Sequence, residues 1–486
     1  MTFKLSAIAA ALMLSACAVT RVEPPAPVAA PAQFKEAGAW QRAPADAPVP
    51  DAWWTLFKDP VLDDLQARLD IGNQTLKASV AAVASARASY EASRSALLPT
   101  VSAGFSATRS ASPTTNANGS TASNAQNPGN SYSLTASASW ETDLWGRLAQ
   151  ASSGAQSSYQ ASSDDLAAAR LSAQALLTQT YFSLRTADAQ RALLERSLAA
   201  YRRTLELTQA RYDGGVAGRS DVLQAQTQAK STQAQLAELT AQRAQLEHAI
   251  AVLLGVAPSA LSLDAQPALP VSPAVPQMLP ATLLERRPDI AAAQRRVAAA
   301  YAQIGVADAA FFPDLTLSAN AGFRNASLAR LLSAPSLLWS LGPSLTEVIL
   351  DSGQRKLASA QARASAEQVT ASYRQAVLTA LQEVEDNLVL ADQLQQEAQW
   401  QAEALQAAQR NLEITLDQYR AGTVSYLNVV VAQTAALSSE SSLLAVRNRQ
   451  LAAVNQLLKN VAGRWQSVVA QAAQAAQAAQ AAQAAQ

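Results

Sequence analysis

At 486 residues, with 37 Lys+Arg balancing 37 Asp+Glu, the chain is long enough for a large core and carries no formal net charge. That balance excludes electrostatic capture of nucleic acid as an organising function. Hydrophobic residues make up 49%, much of it Ala, while aromatics are only 5%, a composition suited to long, closely packed helices.

Lys4, the apolar run Leu5 to Leu14 and the small residues ahead of Cys17 form a signal-peptide pattern over residues 1–16. Leu14-Ser15-Ala16-Cys17 resembles the bacterial lipobox, in which the thiol is acylated and becomes the new N-terminus. A lipid on Cys17 would be a membrane anchor. Ala18 follows, rather than the Asp that often retains such lipoproteins at the inner membrane, so the outer membrane is the expected address. Cys17 is the single cysteine, which excludes an internal disulfide. The Pro- and Ala-rich stretch through residue 52 reads as an extended tether that spaces this anchor from the body. The aromatic cluster from Asp51 to Pro60, with Trp53, Trp54 and Phe57, is expected to pack on the folded part without a ligand.

Helical patterns run over about 61–98, 148–212, 221–254, 289–311, 355–419 and 426–461. Val430, Leu437, Leu444, Leu451 and Leu458 recur every seventh residue as a coiled-coil seam, and Leu239, Leu246 and Leu253 repeat that interval. Tyr373, Val377, Leu381, Val384 and Leu388 mark one helix face. After the N-terminus no helical pattern is expected to stay apolar for the roughly 20 residues that span a bilayer, so any crossing is assigned to strands. Val101, Ala103, Phe105 and Ala107 alternate with polar residues, as do Leu315, Leu317, Ala319, Ala321 and Phe323. Returning strands are expected over about 132–140 and 337–345, with Trp140, Trp145, Phe311, Phe312 and Trp339 near strand ends, where an interfacial girdle would lie. The loop 112–130 is a neutral Ser/Thr/Asn/Gly tip, 256–287 a Pro-rich linker, and 466–486 a low-complexity Ala-Gln tail.

These elements come in two copies. Leu205 to Thr227 returns as Leu412 to Thr434, with Leu205, Glu206, Thr208, Tyr212, Gly215, Val222, Ala225, Gln226 and Thr227 on identical partners. The copies occupy 53–255 and 288–465, and Ala96-Leu97-Leu98-Pro99 is answered by Ala310-Phe311-Phe312-Pro313. Four membrane strands are fewer than the roughly eight of the smallest bacterial barrels, and open edges are intolerable in lipid. The chain must therefore associate with itself, and a dimer of eight strands or a trimer of twelve would both close. The fold class is mainly α with a membrane β-barrel portion that continues into a helical barrel.

The Leu283-Leu284-Glu285-Arg286-Arg287-Pro288-Asp289-Ile290 segment, the Phe311-Phe312-Pro313 strand start, the Asp143-Leu144-Trp145-Gly146-Arg147 and Asp351-Ser352-Gly353 strand exits and the paired Tyr-x-x-Gly turns resemble the TolC-like outer-membrane factor family. The lipobox and the Trp53-to-Pro60 segment are similar to its branch of NodT-type efflux lipoproteins. This resemblance, over about 53–465, implies a homotrimer in outer-membrane lipid with a twelve-stranded barrel and a periplasmic helical barrel. It also implies a periplasmic adaptor of the membrane-fusion-protein type and an inner-membrane pump of RND type. The cargo would be small molecules such as drugs, conducted passively; the exit duct of a type I protein secretion system is the alternative. In such channels the periplasmic tip opens like an iris. The resemblance places the gate at Asp221, Tyr419, Asp417, Arg420 and Asn428, with Asp221 and Tyr419 as the latch; Asn428 and Val431 stand where the family carries its aspartate rings, and Asp417 and Arg420, one turn earlier, would supply the charged constriction instead. It places adaptor docking at Gly215, Val216, Ala217, Gly422, Thr423 and Val424. From its position alone, Asp221 would also be a helix N-cap.

An enzyme has little to work with. His248, the single histidine, lies in a helical pattern without a second ligand for a metal, and no phosphate-cradling loop, nucleophile–base pair or cofactor site is present. A periplasmic coiled-coil adaptor would share the heptads but has no need of four amphipathic strands.

Overall fold

The computed structural model describes residues 22–26, 28–29, 31–36, 50, 52–111, 128–273 and 286–461. The signal sequence, Cys17, most of the 112–130 loop, residues 283–285 of the linker motif and the Ala-Gln tail lie outside the described residues. In chain order the elements are α1 (Pro60–Gly72), α2 (Gln74–Ser95), β1 (Thr100–Ser110), β2 (Gly129–Thr142), α3 (Arg147–Asp213), α4 (Arg219–Leu253), α5 (Pro288–Ala309), β3 (Asp314–Asn325), β4 (Leu337–Thr346), α6 (Gln354–Arg420) and α7 (Tyr426–Val461). The long helices α3 and α6 have 67 residues each, so the duplication seen in the turns extends to the helices that carry them. Two compact units result, 1–26 with 83–161 and 293–373, and 27–82 with 162–292 and 374–486. Each draws on both copies.

The first unit holds one antiparallel sheet in the order β1-β2-β3-β4. Its register puts Phe105 opposite Leu134, Leu134 opposite Phe323 and Phe323 opposite Leu337, so the apolar alternation of all four strands falls on one face. Ser102, Ser137 and Asn320 line up on the other face, where Ser102 and Ser137 hydroxyls lie 2.7 Å apart. Trp140 and Trp339 share the apolar face, opposite Leu317 and Ala321 of β3. Phe105, Trp339 and Leu341 are 59, 74 and 75% exposed, which inverts the usual burial of large apolar residues. Within this unit Ile304, Ala362 and Ala366 form a small core with Ala300 and Tyr301. A Cβ on Gly305 would lie 3.1 Å from the Gln150 side chain, so small residues here permit close helix approach.

In the second unit Trp53, Phe57 and Leu62, Leu65 and Leu69 of α1 pack with Leu177, Tyr181 and Phe182 of α3, Ile250 of α4, Val384 and Leu388 of α6, and Leu457 and Leu458 of α7. Trp53 is fully buried and the Phe57 and Phe182 rings meet at 4.7 Å, so the aromatic cluster docks by packing. Val377, Val384 and Leu388 on the α6 stripe are buried as its spacing predicts.

Four expectations need correction. The 61–98 helix is broken at Asn73, whose side chain accepts from Leu76 N–H at 2.9 Å and donates to Leu253 O at 2.7 Å; Gly72 beside it has no room for a Cβ, which would sit 2.0 Å from Leu254 O. The tether is docked where it is described. Val22 packs against the Ile304 cluster, Phe34 enters the core of the second unit, and Lys35 and Glu36 N–H groups donate to the Glu385 carboxylate at 2.8 and 2.9 Å. In α7 the buried positions Val429, Ala436 and Leu443 run one residue ahead of the half-buried Val430, Leu437 and Leu444, while Leu451 and Leu458 of the expected seam are themselves buried. Finally, Tyr426–Asn460 is long and apolar enough to cross a membrane by length and composition, against the expectation that no helix is; Leu451, Leu457 and Leu458 of this helix pack into the protein core instead.

A buried ionic cluster holds the start of the linker. Asp188 accepts from Arg185 Nη1 at 3.2 Å, from Arg243 Nε at 2.8 Å and from Gln266 N–H at 3.1 Å. Arg185 also donates to Asp264 O at 2.7 Å. Glu247 accepts from Leu263 N–H at 2.6 Å. At the far end of the linker Arg287 is a hub, donating to Asp289, Glu383 and Asn460. This gives the Arg-Pro-Asp motif a packing role.

Candidate functional site

The two repeat turns end α3 and α6 in the same way. Gly215 (φ +74) and Gly422 (φ +80) occupy the left-handed region that a side chain resists. Around the first, Gly215 N–H donates to Tyr212 O and Val216 N–H to Arg211 O, both at 2.9 Å. Around the second, Gly422 N–H donates to Tyr419 O at 3.0 Å and Thr423 N–H to Gln418 O at 2.9 Å. Both are Schellman turns, which satisfy carbonyls left over at a helix end. Gly215, Val216, Gly422 and Thr423 are exposed, Ala217 and Val424 half-buried.

The copies differ in what surrounds them. Tyr419 is 2% exposed and its equivalent Tyr212 is 38% exposed. The Tyr419 hydroxyl bonds to Thr208 Oγ1 at 3.1 Å, its ring meets Tyr426 at 5.7 Å, and Arg211 donates from Nη1 to its carbonyl at 2.7 Å. Ala225 and Val429 complete this cluster. Burial first, then the neighbouring Tyr419, Tyr201 and Asp221, pushes the Tyr426 phenol up to about 12.

Asp221 lies in the first turn of α4, three residues after the true N-cap, Gly218. Its capping role is therefore corrected: the carboxylate makes no cap bond and accepts from Ser220 Oγ at 3.5 Å, while its charge suits the positive end of the helix. Within the chain no hydrogen bond joins Asp221 to Tyr419 among the described residues, since the tyrosine hydroxyl is turned to Thr208. Asp417 and Arg420 pair with each other at 2.9 Å on the exposed side of α6. Asn428 and Val431 are exposed on α7. Beside these turns, α3, α6 and α7 border a groove of about 350 Å³ whose wall includes Leu412, Leu416, Arg203 and Arg420. Sequence reasoning missed Thr208 and Arg211, because their contact with Tyr419 spans more than 200 positions.

At the other end of the long helices both strand exits use one device. Asp143 accepts from Leu148 and Ala149 N–H at 3.0 and 2.7 Å, and Asp351 accepts from Gly353 and Arg355 N–H at 2.9 and 3.1 Å. The Arg355 guanidinium, then these backbone donors, holds the Asp351 carboxyl down at about 2. Trp145 donates to Pro313 O at 2.7 Å and stacks on Phe312 at 5.0 Å, while Trp140 donates to Leu97 O at 2.9 Å. The aromatics near the strand ends therefore satisfy their N–H groups on the backbone of the neighbouring strand starts. His248 is exposed on α4, and the described residues contain no cluster of His, Cys, Asp and Glu that could hold a metal.

Residues 67–256 and 279–463 match the family model described as outer membrane efflux protein. The pyoverdine export outer membrane protein OpmQ of Pseudomonas aeruginosa is 31% identical over 465 residues, covering 95% of this chain and 97% of that protein. The toluene efflux pump outer membrane protein TtgF of Pseudomonas putida is 31% identical over 478 residues, covering 96% and 97%. Among solved structures, the outer-membrane channel OprN superposes with a TM-score of 0.85 at 28% identity, covering 92% of this chain and 99% of that one.

Proposed function

The chain belongs to the outer membrane efflux protein family, and from that premise we propose that three copies close one conduit through the outer membrane, fed by an inner-membrane pump through a periplasmic adaptor. It is an outer-membrane efflux channel of TolC-like fold and not an enzyme. The observation that carries self-association is the sheet; of the two closures it allows, the twelve-stranded one is that implied by the resemblance to the TolC-like family. Four strands present one continuous apolar face and leave β1 and β4 unpaired at the edges. In hydrocarbon each edge must find a partner, and the β4 edge of one copy against the β1 edge of the next closes twelve strands with the serine-lined face toward a wet lumen. Lipidation at Cys17 adds a second attachment to the same membrane.

The exposed turns at Gly215 and Gly422 supply backbone for tip-to-tip docking of the adaptor, and the arginine-rimmed groove beside them suits an acidic amphipathic helix. Asp221, Tyr419, Asp417, Arg420 and Asn428 belong to the closing ring of the tip. The cargo is a small molecule: relatives of similar identity are named for pyoverdine and for toluene, chemistries that share little but size. The test is purification of the full chain in detergent and reconstitution into planar bilayers. The expected results are a heat-modifiable trimer on gels and discrete low-conductance channels. A monomer that inserts no channel would overturn the proposal.

A further inference from the structure

We propose that Arg211 is the clasp that holds one chain's two tips together, and that it acts on the main chain of α6 rather than on any side-chain hydroxyl. The guanidinium reaches from the last turn of α3 to the last turn of α6, donates from Nη1 to Tyr419 O at 2.7 Å and lies over the Tyr419 ring at 4.9 Å. Tyr419 O also receives Gly422 N–H at 3.0 Å, so both of its lone pairs are used and the Schellman turn and the clasp share one atom. A cation here meets the negative end of α6 and the face of an aromatic ring. Arg211 Nε is buried and has no hydrogen-bond partner among the described residues.

The duplication shows that this contact is specific to one copy. Arg211 falls in register with Gln418, Tyr212 with Tyr419 and Gly215 with Gly422. The two Schellman turns form alike with Arg or Gln at that position, so the arginine is not needed to make its own turn. What it adds is a link between the copies, and that link explains why Tyr419 is buried while Tyr212 is exposed. The α6–α7 turn moving away from α3 must break the charge-assisted bond and the ring contact at once. The inference rests on the reading of this end of the chain as the gated tip of a channel.

The test is the open probability of reconstituted full-length channels carrying Arg211→Gln, which leaves the turn with the residue its copy already tolerates. Loss of a charge-assisted hydrogen bond predicts a rise in the open-to-closed ratio of about 10- to 100-fold, with the heat-modifiable trimer retained. Arg202→Met, an exposed arginine on the same helix, is the charge-matched control and should gate as wild type does. If Arg211→Gln gives no trimer, Arg211→Lys keeps the charge and loses the flat contact with the ring, and should show an intermediate rise. Wild-type gating in the variant that assembles, or an equal rise in Arg202→Met, overturns the clasp while leaving the channel intact. Absence of channels from the wild-type protein would instead overturn the proposed function.

Discussion

Asp188→Ala should release the linker that follows α4. The carboxylate is almost fully buried and joins Arg185, Arg243 and the Gln266 amide. Its removal leaves Arg185, 1% exposed, without a carboxylate partner, held by the Asp264 carbonyl and the Tyr181 side chain. Breaking a buried ion pair on one side costs about 3–5 kcal/mol. At 1.4 kcal/mol per factor of ten, local opening of the linker should become about 100- to 4000-fold more frequent. Hydrogen exchange read by mass spectrometry resolves this. The Gln266 amide should lose protection by that factor, whereas the Leu263 amide keeps its own acceptor, Glu247, at 2.6 Å and should lose less. Glu195→Ala, which breaks an exposed pair with Arg191, should change exchange by less than about 0.5 kcal/mol in equivalent terms. Unchanged protection at Gln266 in Asp188→Ala, or an equal effect from Glu195→Ala, would refute the assignment of the cluster as the linker's clamp.

Gly322→Ala should abolish the folded trimer, because the added Cβ would lie 2.3 Å from Leu134 O and 2.8 Å from Thr135 Cα in the adjacent strand; Gly104→Ala, with nothing within 4 Å, should assemble normally, and heat-modifiability on gels separates the two. Tyr426 should remain un-ionised well past an ordinary phenol. Its pKa is raised in the folded chain from 10.0 to about 12, so the stability its neutral form contributes is complete below pH 10.0 and is lost as pH rises through about 12. Ultraviolet titration of wild type against Tyr426→Phe should show the missing transition near pH 12, and a difference centred near 10 would contradict the burial.

The strands and long helices are legible in the sequence because their signals are periodic. Phe105, Leu134, Phe323 and Leu337 announce one apolar face before any register is known, and the copied turn predicts two helix ends of the same kind. Isolated events were harder to see. The break at Asn73 depends on Leu253 and Leu254, some 180 residues away, although Gly72-Asn73 was a local hint. Phe34 looked like part of a spacer because one buried residue has no period. Asp221 sits before an apolar run, which fits an N-cap as well as a third position; Gly218, the true cap, has no side chain to signal it. Of the tip, the turns and Tyr419 were readable from the duplication, while Arg211 was not, because the repeat aligns it with a glutamine and only the folded chain brings it to Tyr419.

In the proposed channel β1 and β4, the free edges of one chain, are sealed by sister chains. Cysteine pairs with one partner on β1, at Ser106, and one on β4, at Ser340 or Ser344, measured in outer membranes under oxidising conditions against each single substitution, test it directly. The expected products are disulfide-linked species that climb to three chains and stop. Cross-links confined within single chains, or a ladder that stops at another number, would contradict it.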